Sequence, residues 1–152
     1  MSTPTRQMKS AARLYAVQAL FQMEAADQDA HEVQAEFETH RFGAEIEGDE
    51  LAEGDVDLFR KLLDDAVTWQ AKIEQMTNRA LDDSWPIKRI DPTLRAIFRA
   101  AGAELVATET PPKVIISEYV DVAKAFFDEG KEPKFVNAVL DTVAREARAQ
   151  TL

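Results

Sequence analysis

The sequence predicts an all-α fold, a compact bundle of about six to seven helices with no sheet. Three observations carry this. Apolar residues recur at helical spacing along nearly the whole chain, and no alternating β-branched run bounded by turns interrupts them. No Asn-Gly or Asp-Gly dipeptide marks a hairpin. Prolines fall at 92, 112 and 133, each just inside the start of a new apolar pattern, where a helix tolerates them best.

The first helix is expected to start near Thr3-Pro4, a cap followed by a first-turn proline. From Leu14 onward its apolar residues point in all directions (Tyr15, Val17, Leu20, Phe21, Met23), which predicts a helix threading the core with its basic end protruding. A short amphipathic piece carries Val33 and Phe37. "RFGAEIEGDELAEGD" follows, with three glycines and six acids, and predicts an acidic mobile loop near 41–55. One long helix is expected over roughly 55–80, burying Val56, Phe59, Leu63, Ala66, Ile73 and Met76. "DDSWPIKRID" ends it. Asp91-Pro92 then caps and opens a helix that buries Leu94, Ile97, Phe98, Ala101 and Leu105. Its other side offers Ala96, Ala100 and Ala103, small enough for a second helix to approach closely.

"TPP" at 110–112 stops that helix and starts the next. There Ile115, Ile116, Tyr119, Val120, Ala123 and Phe127 are expected to face inward, with Ser117, Glu118, Asp121 and Lys124 facing water. Pro133 opens the last helix, with Val136, Val139, Leu140, Val143 and Ala147 on one stripe. Trp69 and Trp85 read as core or edge packing. With 152 residues, the chain is expected to form a single domain over 1–152.

Composition narrows the function classes. With no cysteine there is no disulfide framework, zinc finger or thiol nucleophile. His31 and His40 lie nine apart, with no helical ligand spacing between them, so no metal is expected. No phosphate-cradling glycine loop and no Gly-x-Ser-x-Gly elbow occurs. The chain is therefore expected to lack a cofactor and not to be an enzyme. No apolar run approaches the roughly 20 residues of a membrane span, and no signal peptide is visible, which points to the cytoplasm.

The net charge of −10 is unevenly spread. Residues 1–23 carry Arg6, Lys9 and Arg13 and no acid, whereas residues 24–65 carry fifteen acids against three bases. The global excess argues against bulk, sequence-blind binding to nucleic acid. A local basic site remains. Cations at a helix N-terminus oppose its dipole and cost roughly 0.3–1 kcal/mol each, so their presence there calls for a reason other than folding. Arg6, Lys9 and Arg13 fall at i, i+3 and i+7 on one stripe, and together with free backbone N–H groups they suit a phosphate chain. Phe135 lies about 100° off the stripe of the last helix, at the core boundary beside Lys134. An aromatic there can stack on an unpaired base while the lysine takes a phosphate.

Three stretches, "AVQALFQ" at 16–22, "LRAIFRAAGAEL" at 94–105 and "PPKVIISEYVDVAKAFF…PKFVNAVLDTVARE" at 111–146, resemble the NusB family of bacterial transcription antitermination factors. The resemblance implies an all-helical protein. It implies binding to boxA-type single-stranded RNA together with NusE, a small-subunit ribosomal protein, in support of ribosomal RNA transcription. RNA polymerase would be reached indirectly, and no membrane is involved. By that resemblance, RNA contacts fall on the basic start of the first helix, on an aromatic further along it and near "KF" of "KFVN". Lys9 and Arg13 match basic positions, Phe21 stands where tyrosine is common, and Lys134 and Phe135 match outright. Ser10 and Ala11 interrupt the family's basic run, and the helix at Leu94 lacks the acid with which it often begins. The thin basic run keeps an alternative open, a protein-interaction module of the same fold with weak or lost RNA binding. A NusB-like domain also precedes a methyltransferase domain in certain RNA-modifying enzymes, but no cofactor motif occurs here.

Overall fold

The computed structural model describes residues 5–40, 45–46, 49–50, 54–81, 89–127 and 130–149. Among these are seven α-helices: α1 (Arg6–Ala26), α2 (Ala30–His40), α3 (Val56–Thr68), α4 (Gln70–Ala80), α5 (Pro92–Ala107), α6 (Pro112–Phe126) and α7 (Glu132–Ala147). Among the described residues the strands are a minimal antiparallel ladder of two residues a side, β1 (Glu45–Ile46) and β2 (Asp49–Glu50). The rest of the predicted acidic loop up to residue 53 lies outside the described residues, as do Thr3-Pro4 and Trp85.

Local chemistry sets the helix ends. Thr5, not Thr3, caps α1: its hydroxyl accepts the Met8 N–H at 3.1 Å, and its own N–H reaches Met8 Sδ. Asp27 closes the helix in the left-handed region at φ 52°, which a short polar side chain tolerates. Asp55 caps α3, and its backbone N–H donates to the Met8 carbonyl at 3.0 Å, tying the starts of α3 and α1 together. Asp91 caps α5 ahead of Pro92. The end of α5 is closed from a distance. Arg148 donates to the carbonyls of Leu105, Thr108 and Thr110 at 2.7, 2.8 and 3.0 Å, supplying partners that helix C-termini lack.

The predicted 55–80 helix is two helices. Trp69, at φ −104° and ψ 17°, separates α3 from α4. Val67 and Thr68 precede it, and β-branched residues are weak helix formers. Ile73 N–H still bonds to the Trp69 carbonyl, so the break is a one-residue kink. Trp69 is 40% exposed with the Lys72 ammonium 5.6 Å above its ring, an edge position and not a core one.

The helix that runs through the core is α5, not α1. It buries Leu94 through Phe98 and Ala100 through Leu105, and packs against α1, α3, α4, α6 and α7. Its small residues permit this. A Cβ built on Gly102 would sit 2.5 Å from Ile73 Cγ2 of α4, so that crossing requires glycine. By contrast α1 buries one side, through Ala12, Tyr15, Ala16, Val17, Ala19 and Leu20, and leaves Phe21 39% exposed. No helix among the described residues is long and apolar enough to cross a membrane.

Candidate nucleic-acid interface

The basic stripe of α1 divides on folding. Arg13 does not join Arg6 and Lys9 at the surface; its side chain is 4% exposed. Arg13 Nε and Nη2 donate to the two carboxylate oxygens of Glu104 at 2.9 and 2.7 Å, a bidentate pair inside the core. The Tyr119 hydroxyl donates to the same Glu104 at 3.0 Å, and Arg13 Nη1 lies 3.5 Å from Glu118. Burial works against the Arg13 charge, but the Glu104 hydrogen bond and charge outweigh it and raise its pKa further. Burial and the Glu104 charge also push the Tyr119 hydroxyl well above its usual range, so it stays protonated and donating. Sequence spacing places Arg13 on the stripe, but position i+7 also faces α5, where the Glu104 carboxylate waits.

Glu118 is a second correction. Expected on the wet face of α6, it is buried, and its two carboxylate oxygens share the one Ser10 hydroxyl proton, at 3.1 and 2.9 Å from the Ser10 oxygen. It also stands 3.9 Å from Arg6. The acid thus ties the first turns of α1 to α6 and takes up the buried charge of Arg13.

Arg6 and Lys9 line an open groove of about 1020 Å³, with the buried Arg13 at its base, joined there by Lys61 of α3 and Lys113 of α6. Residues from the first two turns or so of three helices, α1, α3 and α6, form its walls, so three helix N-termini with their positive partial charge face it. Asp55, Asp57 and Glu118 temper that charge, although the Asp55 carboxylate is engaged in capping Leu58 and Glu118 in holding Ser10 and Arg13. Lys61 pairs with Asp65 at 2.9 Å. The Arg6 side chain is 87% exposed, and neither Lys9 nor Lys113 forms an ion pair with a described residue. Lys61 and Lys113 were not singled out from sequence. For Lys113 a signal existed: like Lys9, it is a base in the first turn of a helix, where folding alone favours an acid.

The aromatic candidates stand elsewhere. Phe21 lies twelve residues beyond Lys9, about 18 Å along α1 at 1.5 Å per residue. It lines a small pocket with Phe126, which is itself 41% exposed. Phe135 is 37% exposed and rests edge-on against the buried Phe98, with ring centroids 5.9 Å apart and planes at 66°. The adjacent Lys134 is exposed at the start of α7. The candidate residues therefore form separate stations: a basic groove, a ring on α1 and a Lys-Phe pair on α7.

The NusB family model matches residues 10–145 of the chain. The transcription antitermination protein NusB of Mesorhizobium japonicum is 49% identical over 143 residues, covering 93% of this chain and 92% of that protein. The protein of the same name from Brucella abortus is 47% identical over 148 residues, covering 97% and 86%. Among solved structures, T. maritima NusB aligns with a TM-score of 0.74 at 29% identity, covering 96% of this chain and 94% of that one. A structure of antitermination factors NusB and NusE in complex with dsRNA shares the fold, with a TM-score of 0.77 at 23% identity and coverage of 93% and 99%. By its matched length and by these relatives, the chain belongs to the NusB family.

Proposed function

We propose that this protein is a transcription antitermination factor. It binds boxA-type single-stranded RNA together with NusE, supports ribosomal RNA transcription and reaches RNA polymerase only through that complex. It acts in the cytoplasm as a single-domain adaptor over residues 1–152, without a catalytic centre. Its relatives bear the antitermination name, and a fold neighbour is described in complex with NusE and RNA. The observation on this chain that supports the reading best is the groove at the start of α1. There, cations that folding alone disfavours collect beside three helix N-termini.

In this reading Arg6 and Lys9 take phosphates, with Lys113 completing the track. Phe21 and Phe135 stack on bases, and Lys134 contacts the backbone beside Phe135. Arg13 is a positioning residue, holding the first turns of α1 against α5. The −10 net charge opposes RNA approach, so the protein alone binds weakly and a basic partner strengthens binding by extending the positive track.

Fluorescence anisotropy with a boxA-type RNA, with and without purified NusE, tests this. Affinity should fall steeply with salt, and Lys9→Ala and Lys113→Ala should each flatten the log–log slope by about 0.7, one phosphate on a single strand. The withdrawal of Arg13 from the surface favours the alternative of an interaction module with little RNA affinity. Binding of NusE with no RNA signal in either condition would establish that alternative.

A further inference from the structure

We propose that Arg148 is a positioning residue for RNA binding: from the end of α7 it fixes the corner between α5 and α6, and with that corner the α6 wall of the basic groove. The proposal deepens the RNA-binding reading and rests on it. Arg148 is not among the residues that line the groove, but its partners are. Thr108 and Thr110 line it, next to Pro111 and Lys113. One guanidinium takes the carbonyls of both, Thr108 at 2.8 Å and Thr110 at 3.0 Å, together with that of Leu105 at 2.7 Å.

Capping α5 accounts for the Leu105 bond, because that carbonyl lies in the last turn of the helix. Thr108 and Thr110 lie beyond α5, so the bonds to them shape the connection instead. The chain transmits that constraint stiffly. The Thr110 carbonyl belongs to the planar peptide that joins Thr110 to Pro111. Pro111 and Pro112 follow, and each ring locks its φ at about −65°; Pro111 sits at φ −57°. The direction of the Thr110 carbonyl therefore sets the direction in which α6 starts, and with it the place of Lys113. Local bonds hold the corner less firmly. The start of α6 has no side-chain cap, and the bond inside the corner, from the Thr110 N–H to the Thr108 hydroxyl oxygen, spans 3.3 Å.

A loose corner would let Lys113 and the first turn of α6 swing away from Arg6 and Lys9, and ordering them on RNA would then cost affinity. Arginine suits the task of preventing this. Its planar fork presents Nε to Leu105 and Nη2 to the two threonine carbonyls at once. The single ammonium of a lysine, on a flexible stem, does not reproduce that geometry although it carries the same charge.

The test uses the full chain, a boxA-type RNA and two variants: Arg148→Lys, which keeps the charge, and Arg148→Met, which removes it. In the parent, Lys113→Ala flattens the log–log salt slope by about 0.7. Both Arg148 variants should bind RNA severalfold more weakly and already show most of that flattening. Adding Lys113→Ala to either should then change neither slope nor affinity further. Exchange of the Val114 and Ile115 amide protons, which bond to the Pro111 carbonyl at 3.0 and 3.1 Å, should quicken in both variants. Arg148 is half-buried and lies just outside α7, so both variants should fold, and urea titration gives the folded fraction by which binding is normalised. If Lys113→Ala acts in the Arg148 variants as it does in the parent, the positioning role is wrong while the RNA reading stands. If Arg148→Lys binds as the parent does and only Arg148→Met is weaker, Arg148 acts through its charge and the proposal is overturned. Parental exchange rates at Val114 and Ile115 in both variants would overturn it too, since the corner would then be held without Arg148. If Lys113→Ala leaves the parent unchanged, or the parent binds no RNA with or without NusE, the underlying reading falls as well.

Discussion

Replacing Arg13 by methionine separates its two possible roles, because a core ion pair and a phosphate contact fail in different assays. The substitution leaves Glu104, with 0% exposure, facing the core without its cation. Removing one partner of a buried pair costs about 3–5 kcal/mol, mostly the penalty of the stranded charge. For a chain of this size 1 kcal/mol moves the midpoint by roughly 2–4 °C, so Tm should fall by about 6–20 °C. Arg13→Met/Glu104→Leu removes both charges and should recover most of the loss, since a buried pair is worth little more than a well-packed apolar one. It strands the Tyr119 hydroxyl, which donates to Glu104, at a cost of about 1–3 kcal/mol. Adding Tyr119→Phe should remove that remainder. Urea titrations of the single, double and triple variants give the coupling. RNA binding by the folded fraction should keep the parental salt slope throughout. If Arg13→Met loses less than about 1 kcal/mol and flattens the slope by about 0.7, Arg13 is a surface phosphate ligand and the buried network has been misassigned.

The remaining predictions draw on other parts of the fold. Phe135→Leu should leave Tm nearly unchanged, because the ring is 37% exposed, yet weaken RNA binding severalfold; Phe135→Ala should cost well under the 3–5 kcal/mol of a core phenylalanine. Parental RNA affinity in Phe135→Leu would make the ring structural. Gly102→Ala gains at most about 1 kcal/mol in helix propensity but forces a Cβ to 2.5 Å from Ile73, an overpacking cost of about 1–3 kcal/mol, so denaturant titration should show net loss, eased by Ile73→Ala. The hydrogen bond from Arg95, offset in part by burial, holds the Glu24 carboxyl below its ordinary range, with the charges of Arg95 and Arg99 adding to it. Its contribution is therefore complete above the ordinary glutamate value near 4.3 and is lost as pH falls through the lower folded value. The stability gap between the parent and Glu24→Gln should close in acid, and a gap constant down to the acid transition would exclude the linkage.

Much of this architecture was legible in the sequence because it rests on local rules. Pro92, Pro112 and Pro133 mark helix starts, and period-3.6 stripes picked out Leu94, Ile97, Phe98, Val136, Val139 and Leu140, all buried in the structure. The boundary position of Phe135 followed from its angle to the α7 stripe. What the sequence could not supply depends on facing partners. Spacing places Arg6, Lys9 and Arg13 on one line, but only the approach of α5 decides that the third cation meets Glu104. Glu118 looks solvated until the first turns of α1 cover it with Ser10 and Arg6. The groove of Arg6, Lys9, Lys61 and Lys113 draws on three helices distant in sequence, and the Phe21–Phe126 pocket on residues more than a hundred positions apart. By itself the sequence determined most of the helices, most of their apolar faces and the basic start of α1, because capping, propensity and periodicity act within a turn or two of each residue. Tertiary structure alone decided which charges are spent inside the core and which remain for a ligand, because a charge enters a low-dielectric interior only where another segment delivers its counter-charge.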